Sequence, residues 1–272
     1  MLKTRILTAL ALLPLVLGSL FLAPPLGWGL FAAFALTLGA WEWSRLARFD
    51  RGETVLFVAS FAVLSLCWLL LPLAKTWSLP LDLVALPFWL LAVPLWLNRK
   101  WALKHKWLAA LVGWLILLAA LAGVTRFREL QNGAWVLLSL LAIAWVADIA
   151  AYFAGKAFGK RKLAPSISPG KSWEGVYGAL AAVAVYAALL HQLGAPLYGA
   201  LPLWLLLPLA WALTAVSVVG DLIESLLKRQ AGLKDSSALL PGHGGILDRV
   251  DSLLAVVPVA SALLFGYAKF LA

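Results

Sequence analysis

The chain of 272 residues is 64% hydrophobic and only 12% charged, and it contains 15 tryptophans. A soluble domain carries roughly 25% charged residues, and a chain of this size cannot hide such an apolar excess in one core, so the composition excludes a soluble protein. The formal net charge of +10 does not indicate nucleic-acid binding, because the basic residues are distributed over several loops and form no single stripe.

Apolar runs follow one another along the whole chain, and most approach the roughly 20 residues that a helix needs to cross about 30 Å of hydrocarbon. In lipid, backbone groups must be paired within the segment, which favours helices. We therefore predict an all-α, polytopic integral membrane protein with about nine transmembrane helices and a cytoplasmic N-terminus. The predicted spans are 6–23, 26–41, 54–74, 81–97, 107–123, 134–155, 175–194, 201–220 and 252–271.

The distribution of basic residues supports this topology. The loops that it places on the cytoplasmic side lie around 45–51, 98–106, 156–171 and 228–249. Most of the 22 lysines and arginines fall in these loops or at the N-terminus, as the positive-inside rule requires. The exceptions are Lys75, Arg126, Arg128 and Lys269. We expect the basic residues of the first two loops to contact anionic headgroups.

The two parts of the chain differ in chemistry. Residues 1–125 are predicted to be a scaffold of transmembrane helices, and residues 126–272 a catalytic region with cytoplasmic loops 156–174 and 221–251. Most of the acids lie in the second part, at or near the predicted cytoplasmic face. They are Asp148, Glu174, Asp221, Glu224, Asp235, Asp248 and Asp251. Mixed charges in glycine-rich loops indicate an active site at that surface.

The cytoplasmic end of the eighth predicted span carries several polar residues at i, i+3, i+4 and i+7, which is one face of a helix. They are Asp221, Glu224, Ser225 and Lys228. Acid before base at this spacing also occurs as ordinary helix pairing. At a membrane boundary, however, ionisable residues are costly and usually face the bundle interior, so we favour a functional interpretation.

A glycine-rich loop precedes the last span and contains Pro241, Gly242, Gly244 and Gly245. We expect its backbone to approach a ligand closely, and its consecutive N–H groups are suited to anion binding. Asp248 and Asp251 then begin a helix at i and i+3, with both carboxylates on one face. Carboxylates at a helix start are also stabilised by the helix dipole. Paired acids beside a basic, glycine-rich loop are typical of sites for Mg²⁺ and a polyphosphate. His243 is the only histidine near these acids, which argues against a zinc set.

The segment 148–175 is the third polar element. Asp148 lies in an apolar run, with Tyr152 at i+4. Gly170-Lys171-Ser172 is similar to the end of a P-loop, but that motif needs a glycine at position 165, where proline stands, and a preceding strand. We reject a P-loop, and we expect Lys171 and Ser172 to contact phosphate.

These elements resemble the phosphatidate cytidylyltransferase (CDP-diacylglycerol synthase) family. Its C-terminal signature has the form Ser-x-x-Lys-Arg-x4-Lys-Asp followed by Pro-Gly-His-Gly-Gly-x-x-Asp-Arg-x-Asp, and both parts occur here in order. The matching positions are Ser225, Lys228, Arg229, Lys234, Asp235, Pro241, Gly242, His243, Gly244, Gly245, Asp248, Arg249 and Asp251. Gly220-Asp221 and the elements that start at Asp148 and Ser168 also resemble the family pattern.

The resemblance implies that CTP and phosphatidate react to CDP-diacylglycerol and diphosphate on the cytoplasmic side of the inner (plasma) membrane. It implies Mg²⁺, leaves room for a second cation, and makes a homodimer the expected assembly; no nucleic acid is expected as a partner. The candidate catalytic residues are Asp221, Asp248, Asp251 and Lys228, of which the three aspartates are the candidate metal ligands. The candidate substrate-binding residues are Asp148, Tyr152, Lys171, Ser172, Glu174, Arg229, Lys234, Asp235, His243, Gly244, Gly245 and Arg249.

Two other functions are open alternatives, a CTP-dependent lipid kinase and a transporter of an anionic solute. A CTP-dependent lipid kinase would need the same magnesium-nucleotide site, but it would transfer the γ-phosphoryl group and release CDP. A transporter of an anionic solute would need charges near the middle of the bilayer and internal repeats. A CDP-alcohol phosphotransferase is disfavoured, because its motif spaces two aspartates four residues apart, whereas Asp248 and Asp251 are three apart.

Overall fold

The computed structural model shows a bundle of long helices and describes residues 2–266. The first helices are α1 (Leu2–Leu22), α2 (Pro25–Leu46) and α3 (Arg51–Leu70). A continuous helical stretch follows, consisting of a 3-10 turn (Pro72–Trp77), α4 (Ser78–Pro87), a π turn (Phe88–Ala92) and α5 (Val93–Arg99). The remaining elements are α6 (Lys106–Glu129), α7 (Gly133–Phe158), β1 (Lys162–Ala164), β2 (Ser168–Ser172), α8 (Trp173–Gln192), α9 (Leu203–Ala231), α10 (Leu247–Val250), α11 (Leu253–Ser261) and a second π turn (Ala262–Gly266).

Each predicted apolar run consists mainly of helix, as far as the described residues reach, although several runs extend by one or two residues past a helix end and the run 54–74 crosses a break at Leu71. Lys269, the end of the run 252–271 and the side chains of Lys3 and Arg5 lie outside them. Within residues 2–266, six helical stretches are long and apolar enough to cross a membrane. They are Arg51–Leu70, Pro72–Arg99, Lys106–Glu129, Gly133–Phe158, Trp173–Gln192 and Leu203–Ala231. The prediction of an all-α polytopic membrane protein is confirmed, while the count of nine spans and the cytoplasmic N-terminus stay predictions.

Local sequence explains where several helices begin and end. Asp50 accepts a hydrogen bond from the Glu53 N–H, and the Glu53 side chain accepts one from the Asp50 N–H, which is a capping box at the start of α3. Pro87 does not end the predicted run 81–97, because the helix widens after it and the Val93 N–H bonds to Phe88 five residues back. Gly232 ends α9 in the left-handed conformation, with φ of 76°.

Helix α11 is the buried centre of the bundle. It packs against α4, α6, α7 and α9, and every residue from Leu254 to Ser261 is buried. A helix that is apolar on all sides belongs in the interior. Because α11 is held from all sides, it sets the position of Asp251 two residues before its start.

The β1–β2 hairpin was not predicted. It lies in the loop expected at 156–174, pairs Lys162 with Ser172 in antiparallel register, and buries Ile167 in its turn. Two short strands with glycine and proline carry no alternating pattern that sequence reasoning could detect. The hairpin places Gly170-Lys171-Ser172 within a strand, which agrees with the rejection of a P-loop.

The loops predicted to share one side do meet at one end of the bundle. The Arg45 guanidinium donates to the carbonyl of Ser236, and that of Arg48 donates to the carbonyl of Gln230. The Gln230 side chain in turn donates to the carbonyl of Lys100 at 3.2 Å. Arg45 and Arg48 therefore bind backbone carbonyls of the protein, a role that differs from the expected contact with headgroups.

The opposite end of the bundle has its own polar contacts. Lys75 and Glu129 form an exposed ion pair at 2.7 Å. Arg126 donates to Asp82 at 2.6 Å and to the Ser261 hydroxyl at 3.0 Å. Most of the exceptions to the predicted charge asymmetry thus lie together, away from the acid-rich loops.

We predict that the acid-rich end faces the cytoplasm. A cysteine at Ser166, which is exposed in the hairpin turn, should react with an impermeant thiol reagent only after the membrane of a Cys67→Ala protein is opened. A cysteine at Thr76, exposed at the other end, should react in intact cells; neighbouring Ser78 is buried and unsuitable. The reverse labelling pattern would contradict this orientation.

Candidate active site

Three helical elements bring carboxylates together at the acid-rich end. Asp148 on α7 and Asp251, just before α11, each lie within electrostatic range of Asp221 on α9. Helices α9 and α11 approach closely because residue 220 is glycine: a Cβ there would lie 2.8 Å from the carbonyl oxygen of Asp251. The sequence-predicted residues Asp148, Asp221 and Asp251 therefore form one group, which we call the acid cluster.

The acid cluster contains buried carboxylates, and buried oxygens near it lack hydrogen-bond partners. Burial, together with the neighbouring Asp221 and Asp148 carboxylates, raises the pKa of Asp251 to about 7. The buried hydroxyl oxygens of Ser217 and Ser252 and one of the two carboxylate oxygens of Glu224 have no hydrogen-bond partner among the described residues. Buried like charges and unpaired oxygens together create an environment that favours a cation.

Lysines compensate part of this negative charge. Lys171 on β2 pairs with Asp221 at 2.5 Å, and the Ser225 hydroxyl donates to Asp221 at 3.1 Å. Lys228 is largely buried and binds Asp248 at 2.6 Å and Glu224 at 3.2 Å. The predicted face of α9 is thus confirmed in position, with its acids and lysine directed at the same site.

The Asp248 carboxylate accepts several hydrogen bonds from the loop that precedes it. Besides Lys228, it accepts hydrogen bonds from the Ser236 N–H at 2.8 Å, the Ser236 hydroxyl at 2.9 Å and the Gly245 N–H at 2.8 Å. Burial acts in the opposite direction, but these hydrogen bonds lower the pKa of Asp248 below its ordinary value. Asp248 therefore organises the glycine-rich loop, and an ion at this carboxylate would have to replace existing partners.

Glu42, on α2, is a site residue that sequence reasoning missed. It is completely buried and accepts hydrogen bonds from the hydroxyls of Ser236 at 3.1 Å and Ser237 at 2.5 Å. It also accepts from the backbone N–H groups of Ile246 at 2.9 Å and Leu247 at 2.7 Å. The available signal was an acid within a mostly apolar helix, which is costly unless it has partners.

The glycines of the loop are required by its geometry. Gly244 has φ of 83°, a left-handed conformation that favours glycine. At Gly245, a Cβ would lie 2.1 Å from the Ser236 hydroxyl and 2.2 Å from a Glu42 carboxylate oxygen. We expected these glycines to let a ligand approach; at Gly245 the close neighbour is instead the protein's own Glu42.

Some predicted substrate-binding residues have structural partners. The Ser172 hydroxyl caps α8 by accepting the Gly175 N–H at 3.2 Å. Glu174 accepts the Lys160 N–H at 3.1 Å and pairs with the Arg161 side chain at 3.3 Å, so it ties down the base of the hairpin. Tyr152 is exposed.

Other predicted substrate-binding residues have side chains without a partner in the described part of the protein. Among the predicted substrate-binding residues, the exposed charged side chains without a hydrogen bond or close ion pair to the described residues are those of Arg229, Lys234, Asp235 and Arg249. They lie in the last turn of α9, in the loop that follows it and in α10, and their side chains are available to a substrate. The Nδ1 atom of His243 is buried and has no hydrogen-bond partner within the described part of the chain.

The sequence matches the model of the Cytidylyltransferase family over residues 3–266. It is 47% identical to the phosphatidate cytidylyltransferase of Pseudomonas aeruginosa over 271 residues, which cover 98% of each chain. It is 40% identical to that of Haemophilus influenzae over 285 residues, covering 97% of this chain and 99% of the relative. The phosphatidate cytidylyltransferase of Brucella suis is 36% identical over 274 residues, covering 100% and 94%.

We predict that Glu42 holds the loop in place. Replacing it in Glu42→Ala leaves several buried donors without an acceptor, which should lower the free energy of unfolding by on the order of 3 kcal/mol. The melting temperature in detergent measures this loss. The control Glu129→Ala removes only an exposed ion pair, worth less than about 1 kcal/mol. Equal melting temperatures for the two variants would contradict this role of Glu42.

Proposed function

The chain belongs to the cytidylyltransferase family, and from this membership we infer that it catalyses the reaction of CTP with phosphatidate to CDP-diacylglycerol and diphosphate. The observation that carries this conclusion is the full-length similarity to several phosphatidate cytidylyltransferases. The resemblance read from the motifs is confirmed, and the protein is a nucleotidyltransferase of phospholipid biosynthesis.

In this reaction a phosphate oxygen of phosphatidate attacks the α-phosphorus of CTP, and the bond to the departing diphosphate breaks. The nucleophile needs little help from a base, because a phosphate monoester loses its second proton near pH 6. The barrier is therefore electrostatic and geometric: two anions must be aligned in line. The half-buried Lys171 and the exposed Arg249 supply positive charge beside the acid cluster. The exposed Arg229 and Lys234 are further cations available to the substrates.

We propose that Mg²⁺ binds at the acid cluster, held by Asp221 and Asp251 with substrate phosphates. Magnesium is commonly bound by one or two carboxylates plus phosphate and water. This fits the site, where the buried hydroxyl oxygens of Ser217 and Ser252 have no hydrogen-bond partner among the described residues. No three acidic, histidine or cysteine side chains of residues 2–266 form a metal site without the substrate. A bound Mg²⁺ would neutralise phosphate charge during the transfer. Asp248, also predicted as a ligand, contributes through the loop and Lys228.

We further propose that the site faces the cytoplasm from the inner membrane. The basic loops and the acid cluster share one end of the bundle, and an excess of lysine and arginine is typical of cytoplasmic loops. CTP would reach the site from that side, and phosphatidate would reach it from the surrounding lipid. A homodimer stays an expectation from the family resemblance.

The alternative functions gain no support. A CTP-dependent lipid kinase would use the same site, but the relatives that match this chain over nearly its full length are phosphatidate cytidylyltransferases. A transporter of an anionic solute would need charges near the middle of the bilayer, whereas the acid cluster lies at one end of the bundle beside the hairpin and the glycine-rich loop.

We predict that the purified protein with CTP labelled at the α-phosphorus incorporates label into lipid only when phosphatidate is present. Diphosphate should be released in equal amount. Diacylglycerol in place of phosphatidate should give no labelled lipid, because it lacks the attacking phosphate. Release of CDP with transfer of the γ-phosphoryl group would instead identify a kinase and contradict this function.

Removing a carboxylate charge should reveal which acid serves the metal. Asp251→Asn and Asp248→Asn should each lower the rate on the order of 10²–10⁴-fold, since each ~1.4 kcal/mol is tenfold. Only Asp251→Asn should raise the Mg²⁺ concentration needed for half-maximal rate, whereas Asp248→Asn should leave that concentration unchanged and should also lower the melting temperature, because it weakens the contacts of Lys228 and the loop. Glu129→Gln, at the opposite end, is the control. Near-normal turnover of Asp251→Asn at an unchanged Mg²⁺ requirement would remove it from the site.

A further inference from the structure

An apolar groove of about 600 Å³ lies between α1 and the rest of the bundle. Its walls come from α1, α2, α6, α7, α11 and the glycine-rich loop. The volume falls in the range of roughly 300–1,000 Å³ that small-molecule sites occupy. Arg249 is the one charged residue among the described residues that line it.

The groove extends from the glycine-rich loop deep into the bundle. Ile246 lines it at the level of Glu42, to which its N–H donates, and Trp28 lines it 14 residues earlier on α2. This distance is about 21 Å at 1.5 Å per residue, more than half of a hydrocarbon core of roughly 30 Å. A lipid chain that enters beside the loop would therefore have room to lie along the groove.

The groove is open to the surrounding lipid. Leu10 and Leu13 of α1 and Trp145 of α7 line it and are exposed by 64%, 54% and 37%. Helix α1 is nevertheless attached near the headgroup level, where the Thr8 hydroxyl donates to the carbonyl of Pro241 at 2.9 Å. A hydrocarbon chain can thus enter sideways without crossing a polar surface.

The short helix α10 separates the groove from the acid cluster. Arg249 and Val250 line the groove, while Asp248 binds Lys228 and Asp251 belongs to the acid cluster. The exposed Arg249 guanidinium has no hydrogen bond to the described residues, and it is within electrostatic range of Asp148. An anionic group bound by Arg249 would therefore lie between the groove and the acids.

We propose that this groove binds an acyl chain of phosphatidate and that Arg249 binds the phosphate of the same molecule. This inference rests on the proposed function, to which it adds the position of the lipid substrate in the protein. A chain that leaves the bilayer for the groove gains little from the hydrophobic effect, because lipid is equally apolar. Selectivity for the acyl chain therefore depends on steric fit to the groove walls.

The test combines substitutions that narrow the groove with phosphatidates whose acyl chains differ in length. Ala9 and Ala35 line the groove, whereas Ala11, also exposed on α1, does not. Ala9→Phe and Ala35→Phe should lower kcat/KM for dioleoyl phosphatidate by about tenfold or more, while kcat/KM for dihexanoyl phosphatidate and the KM for CTP stay within about twofold. Ala11→Phe should change neither lipid's kcat/KM by more than about twofold.

Equal losses for the long and short lipids, or no loss in either groove variant, would overturn the proposal and leave the groove to a lipid that is not the substrate. Failure of the unaltered protein to convert either phosphatidate with CTP is a separate result. That result would overturn the proposed function itself.

Discussion

The buried carboxylate of Glu42 is the interaction on which the geometry of the candidate site depends. It binds Ser236 and Ser237 at the start of the glycine-rich loop and the Ile246 and Leu247 N–H groups at its end. Both ends of the loop are thereby drawn to α2. A buried carboxylate without such donors would be strongly unfavourable, so the loop and the acid stabilise each other. The directions of Asp248, Arg249 and Asp251 follow from this closure.

Around the loop, some carboxylates have a lysine partner and others do not. Lys228 compensates Glu224 and Asp248, and Lys171 compensates Asp221. Asp251 keeps a raised pKa because it is buried beside Asp221 and Asp148. The excess of negative charge is therefore located at the junction of α7, α9 and α11. This is where the proposed metal and the phosphates of two anionic substrates would meet.

Much of the fold and part of the site could be predicted from the sequence. Apolar runs predicted the helices, because lipid leaves the backbone few other choices. Helical spacing placed Asp221, Glu224 and Lys228 on one face, and their contacts agree with that placement. These are local patterns, readable within a few turns of helix.

The parts that were not predicted depend on contacts distant in sequence or on weak local patterns. Glu42 and Ser236 are separated by 194 residues, and no spacing rule links them. The partners of Asp248 come from a loop whose path is set by that contact. The β1–β2 hairpin has strands of three and five residues, too short for a detectable alternation. The π turn after Pro87 arises where packing of the whole stretch overrides a local break.

The separation of Glu42 from its partners also has a consequence for biosynthesis. At 5–20 residues per second, the ribosome completes the loop on the order of 10–40 s after α2, because the two are 194 residues apart. During that interval α2 carries an acid whose acceptors have no donors from the chain. The acid-rich end of the bundle therefore closes only when almost the whole protein has been translated.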